Sequence, residues 1–413
     1  DPDARRAGRV YIALVIVGEV LTFAALLWLV EAPPGTAPPA VVMALVLLGF
    51  GIKVGALPLH VWLPLAHPAA PVPASAVLSG TMIKAGLLGW LRFLPLGQVA
   101  LPEWGVVVVG AGLAAAFYGV VMGLPQRNPK TVLAYSSISQ MGLITIPVGL
   151  GLALPDLWPT LLTAVLIYAV HHAFAKGALF LGVGAAAHGR GRRTPVTLGL
   201  LLPAFSLAGM PFTSGAVAKT ALKGALGAVP PPWVDGLIPL LSLAAVGTTL
   251  LMARFLVTVW TVEPGHHRAS PGLWRPWAVL IGLVFAVPWF WPVALPAART
   301  SLAAGKLLAT LWPVLVGALL GGAVFAWARR RRRRFPVIPA GDLLVVLGWV
   351  RPPLRRCMSG ARWRRAWQTL SRWPLRGAPD ALNVVERGER ELGRWVTAGT
   401  LLLLLTLLLF LLL

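Results

Sequence analysis

Lysine is rare in this sequence and oddly placed. There are seven (Lys53, Lys84, Lys130, Lys176, Lys219, Lys223 and Lys306) against 29 arginines, and five of the seven fall inside long apolar stretches while the arginines gather between them. The partition has a chemical sense. A guanidinium keeps its proton in a protein, whereas a desolvated lysine can shed it. A lysine at the centre of a bilayer costs about 3 kcal/mol or more, so several of them need a reason. Lys223 and Lys84 are compatible with snorkelling, the stem in lipid and the amine at the interface. Lys53, Lys176 and Lys219 have long apolar flanks and a polar or helix-breaking neighbour, which points to function. His172 and Lys176 stand four residues apart and share a helix face, with Tyr168 one turn earlier, a short column of titratable groups. His171 is turned about 100° away from His172, so one histidine of the two is expected to line a path. A histidine pair on an apolar helix is by default a packing feature or a metal ligand. No second ligand cluster accompanies this one, so no metal is implied.

The helices that must hold these groups are interrupted beside them. Around Lys53 runs GFGIKVGALPLH, with Gly49, Gly51, Gly55 and Pro58, closing on His60. Ahead of Lys219 runs SLAGMPFTSGAVAK, with Gly209, Pro211 and Gly215. Discontinuous helices in corresponding halves of a chain are a sequence pointer to an ion site at the membrane midplane. Their freed backbone groups are tolerable only where protein or water satisfies them. Between the two breaks, AYSSISQMG places Ser136, Ser137, Ser139 and Gln140 on one helix. Such hydroxyls often bond back to their own helix, but beside the lysines they can hold a chain of waters.

The whole chain agrees with a membrane setting. Of its residues 57% are hydrophobic and only 12% charged, with mean hydropathy +0.79, far from the roughly 25% charged of a soluble domain. With about 20 residues per crossing, eleven spans are expected, near 8–30, 39–58, 74–95, 104–124, 131–154, 159–187, 194–226, 236–260, 273–295, 307–328 and 395–413. Alternate connections carry Arg5/Arg6/Arg9, Arg127/Lys130, Arg190/Arg192/Arg193, Arg268 and the run Arg329 to Arg334, while most of the opposite ones carry no Lys or Arg. The positive-inside rule then puts the first residues inside and the last outside. The net charge of +23 follows the span ends, as expected for contact with anionic lipid rather than nucleic acid. Residues 329–394 form a basic, proline-interrupted segment, expected as amphipathic pieces on the inner leaflet, and 395–413 a leucine-rich anchor. The one cysteine, Cys357, excludes an internal disulfide.

These residues carry a resemblance. KVGALPLHVWLPLAHPAAPVPASAVLSGTMIKAG (53–86) resembles the signature of the proton-translocating antiporter-like family, which includes antiporter-like subunits of complex I, Mrp-type antiporter subunits and membrane subunits of energy-converting hydrogenases. NPKTVLAYSSISQMG (128–142), HHAFAKGALFLGVGAAAH (171–188) and SLAGMPFTSGAVAK (206–219) are similar to its later motifs, in order. The resemblance implies an all-α polytopic fold of inverted five-helix repeats with two discontinuous helices. It implies roles for Lys53 and Lys219 in the two broken helices, for Lys84 in the helix after the first, and for His172 and Lys176 between them. The family function so implied is proton translocation, in a complex I-like or hydrogenase-type complex or in an Mrp-type Na+/H+ antiporter. A non-conducting coupling subunit is the third reading. Partners implied are other membrane subunits in a bacterial cytoplasmic membrane, with protons or Na+ as the ion. No cofactor is implied, and any redox chemistry belongs to partner subunits.

By the order of motifs, residues 8–95 represent only the last three helices of a first repeat, 104–260 a complete second repeat, and 273–328 two further helices. The family pairs the first broken-helix lysine with a glutamate on an earlier helix that this numbering leaves out. Lys53 is therefore expected to lack that partner and to face lipid or a void. The chain is expected to need an upstream segment or a small subunit. Glu19, the one acidic residue inside an expected span, is the candidate substitute. His60, His171, Gln140 and Ser137 complete the expected polar set.

Overall fold

The computed structural model describes residues 2–31, 37–188, 193–231, 234–261 and 271–330. The expected segment 329–394 beyond Arg330, its lipid contacts and the anchor 395–413 lie outside the described residues. Among those described, every regular element is a helix, and nine helices are long and apolar enough to cross a bilayer. The protein is an integral, all-α, polytopic membrane protein. The tenth span expected in this region, 194–226, is broken into two shorter helices.

The first helices are α1 (Pro2–Glu31), α2 (Ala40–Val54) and the short α3 (Trp62–Ala69). Next come α4 (Val72–Val77), a π-helical turn at Leu78–Met82 and α5 (Ile83–Phe93). Two long helices follow, α6 (Pro102–Gly123) and α7 (Pro129–Ala153). The Asn128 side chain accepts from the Lys130 amide and Pro129 takes the first position, so α7 starts where a cap and a proline dictate. Every residue of α7 except Lys130 is buried, which makes it the central post.

α7 reaches that position by a seam of glycines shared with α6. A Cβ on Gly105 would stand 2.8 Å from the Gly149 oxygen, one on Gly112 2.7 Å from the Gly142 oxygen, and one on Gly119 2.5 Å from the Tyr135 oxygen. Lipid offers no hydrophobic drive between helices, so backbone-to-backbone contact through small residues supplies the dispersion that joins them.

The long α8 (Trp158–His188) lies against α7, and α9 (Arg193–Ala208) and α10 (Ser214–Leu226) are the halves of the broken span. Then come α11 (Leu237–Thr258), α12 (Pro271–Phe290), α13 (Leu295–Ser301) and α14 (Ala304–Arg330).

Both breaks are built from the residues the sequence singled out. α2 ends because Gly55 takes φ 73°, and its amide and that of Ala56 return to Ile52 and Gly51. The Trp62 indole then donates to the Ile52 carbonyl at 2.7 Å, satisfying that oxygen at the break. α9 ends at Gly209 (φ 98°), followed by Pro211 and by Phe212 at φ 65°. Thr213 restarts the chain as the cap of α10.

Candidate functional site: a buried polar row through the membrane domain

The row begins with Lys53, in the last turn of α2. Its ammonium lies 2.9 Å from the Glu19 carboxylate of α1. The candidate substitute named from the sequence is the residue in contact: α1 runs alongside α2 and brings Glu19 to Lys53, which therefore does not face lipid or a void without a partner. The pair is not sealed, since the Glu19 side chain is 56% exposed and that of Lys53 24%. α5 crosses α2 at the same point, where a Cβ on Gly86 would stand 2.8 Å from the Lys53 Cβ. Lys84 lies two residues earlier on α5.

Lys84 does not snorkel. Its amine donates to the Ser79 carbonyl at 2.5 Å, inside the π-helical turn. The Ser79 hydroxyl in turn meets that of Ser137 at 2.8 Å. A π turn leaves carbonyls out of the regular ladder, and here one of them receives a lysine.

From Ser137 the row continues through α7 to α8. Ser137 donates to the Leu133 carbonyl at 3.1 Å, and fully buried Lys176 donates to the same oxygen at 2.7 Å and also to Ser136. His172, one turn before Lys176, is fully buried, and both its ring nitrogens lack a partner among the described residues. Buried polar atoms are paired with protein or ordered water as a rule, so His172 marks a place on the row for water. One turn further, Tyr168 donates to the Gln140 side-chain oxygen at 3.0 Å, and the Gln140 amide donates to Thr248 at 3.0 Å. Ser139 instead ties α7 to α6, donating to the Ala116 carbonyl at 2.7 Å.

The row ends at the second break. The Lys219 ammonium donates to the carbonyls of Leu207 (3.1 Å) and Ala208, at the C-terminus of α9. That is the negative end of the half-helix dipole. Gly209 makes room for it, because a Cβ there would lie 2.8 Å from the Lys219 Nζ. His171 also belongs here: its Nδ1 lies 2.8 Å from the Ser214 hydroxyl, which lies 3.1 Å from that of Ser206. His171 and His172 diverge, as adjacent positions on a helix require. The 100° turn between them sends His172 toward Lys176 and His171 toward the α9–α10 break. His60 is buried beside the first break with its ring edge-on to Tyr118, centroids 4.9 Å apart.

Sequence reading missed His67. It is fully buried, both ring nitrogens lack a partner among the described residues, and its ring stacks at 4.3 Å on Phe180, one turn beyond Lys176. Its neighbours in PLAHPAAP give no periodicity, so nothing in the sequence tells which way it faces. Ser79, Ser214 and Thr248 were missed as well, since a lone hydroxyl on an apolar helix has no distinguishing spacing.

Fold and site together define a polytopic helical membrane protein with two broken helices and buried lysines beside and between them. Residues 11–234, more than half of the chain, match the family described as NADH:quinone oxidoreductase/Mrp antiporter, transmembrane, and the chain belongs to that family. Among curated proteins it is 36% identical over 191 residues to a protein of Staphylococcus saprophyticus provisionally described as antiporter subunit mnhA2, a match covering 40% of this chain and 23% of that one. The protein of the same description from Staphylococcus aureus MRSA252 is 32% identical over 218 residues, 44% of this chain and 27% of that one. The matched region thus spans about a quarter of the length of these relatives. Among solved structures, a chain of the Mrp complex from Dietzia sp. DQ12-45-1b shares the fold, with a TM-score of 0.67 and 24% identity over 94% of this chain and 47% of that chain.

Proposed function

We propose that this antiporter-like membrane subunit translocates protons along the row Lys53, Lys84, Lys176, His172 and Lys219. One observation carries the reading. Buried polar groups link Lys84 to Lys176: Lys84 donates to the Ser79 backbone carbonyl, the Ser79 hydroxyl meets that of Ser137, and Ser137 and Lys176 donate to the same Leu133 carbonyl. The amines and hydroxyls can hold and pass a proton, and water bridges the two carbonyls, which only accept. Driving one charge against 100 mV takes about 2.3 kcal/mol, and a charge change at one lysine is felt by the next across a low-dielectric interior. Glu19 and Lys53 form the entry pair. Water, Tyr168 and Gln140 fill the interval between His172 and Lys219.

The chain works beside other membrane subunits, in a bacterial cytoplasmic membrane. Similarity to proteins described as antiporter subunits, and to a chain of an Mrp complex, favours an Mrp-type Na+/H+ antiporter over a complex I-like or hydrogenase-type host. The two repeats, at 8–95 and 104–260, are part of the same proposal.

The test is proton movement in inverted membrane vesicles. Lys219→Ala is expected to reduce it to background with membrane levels near wild type. Lys219→Arg is expected to fail equally, because a guanidinium holds its proton. Wild-type flux in the Ala variant would sink the reading, and adding Na+ to the assay separates the two hosts.

A further inference from the structure

Lys219 is not the last amine of the row. Lys223 lies four residues on, on the same face of α10, and donates to the Ser242 hydroxyl of α11 at 2.8 Å. The two lysines line one small cavity of about 20 Å³ together with Tyr168, Leu241, Thr310 and Pro313. That is room for one water, which needs roughly 10–15 Å³. Thr310 and Pro313 belong to α14, beyond the segment that the family match covers. The Thr310 hydroxyl is bonded to the Lys306 carbonyl one turn earlier on α14 (3.0 Å), and Lys306 itself is exposed. The arginine pattern puts this end of α10, α11 and α14 on the outer side.

Resting on the proton-translocation reading, we infer that the outward leg of the path runs from Lys219 through this water-sized cavity to Lys223 and leaves along α14 past Lys306, and that it carries protons and not Na+. The chemistry of the lining carries the choice of ion. Na+, like other hard cations, is held by oxygen ligands, carboxylates above all. No carboxylate lines the cavity, and two amines do. A metal cation would have to displace ammoniums to pass. A proton does not: the Lys219 N–H bond breaks as the cavity water takes the proton, and the water gives it to the lone pair of neutral Lys223. Lys219 is left as an amine ready for the next proton. Two ammoniums about 6 Å apart on one helix face repel, so the pair shares one proton readily and holds two reluctantly.

The experiment uses the intact complex in proteoliposomes, with proton movement driven by a Na+ gradient, read with an internal pH dye and repeated over a series of Na+ concentrations. Lys223→Gln removes the acceptor and Thr310→Leu fills the water space. Each is expected to cut the flux by about tenfold or more, the effect of a one-unit mismatch at a relay group, at normal abundance. Lys223→Arg is expected to behave like the Gln variant. Flux at the wild-type rate in both Lys223→Gln and Thr310→Leu, or a Na+ half-saturation shifted in either, overturns the inference. Lys219→Ala in the same assay separates the two readings. If it is silent while the other variants conduct, only the outward leg is wrong. If it conducts, the proton row itself is wrong.

Discussion

Lys53 and Lys219 hold their ammoniums by different means. Lys53 has the Glu19 carboxylate at 2.9 Å, and Lys219 has backbone carbonyls at the end of α9. A carboxylate in a half-exposed intramembrane position is costly unless it serves a cation, which argues that Glu19 is retained for Lys53. Glu19→Gln keeps the shape and removes the charge, so most of the proton flux in vesicles should be lost, with Glu19→Asp recovering a large part. Equal flux in all three proteins would show the pair to be structural. The lysines were legible in the sequence because intramembrane lysines are rare enough to stand out. Glu19 was named as the candidate partner of Lys53 only because it is the one acid inside an expected span; the contact between α1 and α2 that brings the two together is a matter of packing that no local pattern encodes. The same limit applies to His67, whose burial and stacking on Phe180 come entirely from tertiary placement.

At the level of the helices, the two breaks were legible because Gly55 with Pro58, and Gly209 with Pro211, pair a residue that takes positive φ with one that cannot donate a helix hydrogen bond. The wide turn at Leu78–Met82 was not legible, since nothing in LSGTM departs from ordinary helical composition. Nor was the junction of α6 with α7, although its glycines recur every seven residues at 105, 112 and 119. Their meaning appears only once the facing glycines at 142 and 149 are known. Gly119→Val should be among the most damaging changes outside the polar row. Its added carbons meet the Tyr135 carbonyl and the Ser139 backbone, and overpacking of this kind costs about 1–3 kcal/mol. Thermal unfolding in detergent is expected to shift down, with less protein in the membrane. Gly110→Val, where a Cβ meets nothing within 4 Å, is the control and should leave both unchanged.

On the scale of the molecule, the expected crossings between 8 and 328 have helices within a few residues at most ends; 194–226 is two helices, the helix expected from 8 starts at Pro2, and those expected to end at 58 and 295 end at Val54 and Phe290. Orientation rests on the arginines. A reporter inserted at Arg127 should behave as cytoplasmic and one at Asp156 as external. The reverse pair of results would invert the membrane topology, and with it the side on which Lys306 emerges. The seam between α6 and α7 has a consequence for motion. Helices whose backbones touch at three successive glycines have no lubricating layer of side chains between them, and sliding one past the other would drive Cα atoms over carbonyl oxygens. This pair is the keel of the domain. Any alternation of access is then expected away from this seam, at the two helix breaks and in rotamer changes of the long amines.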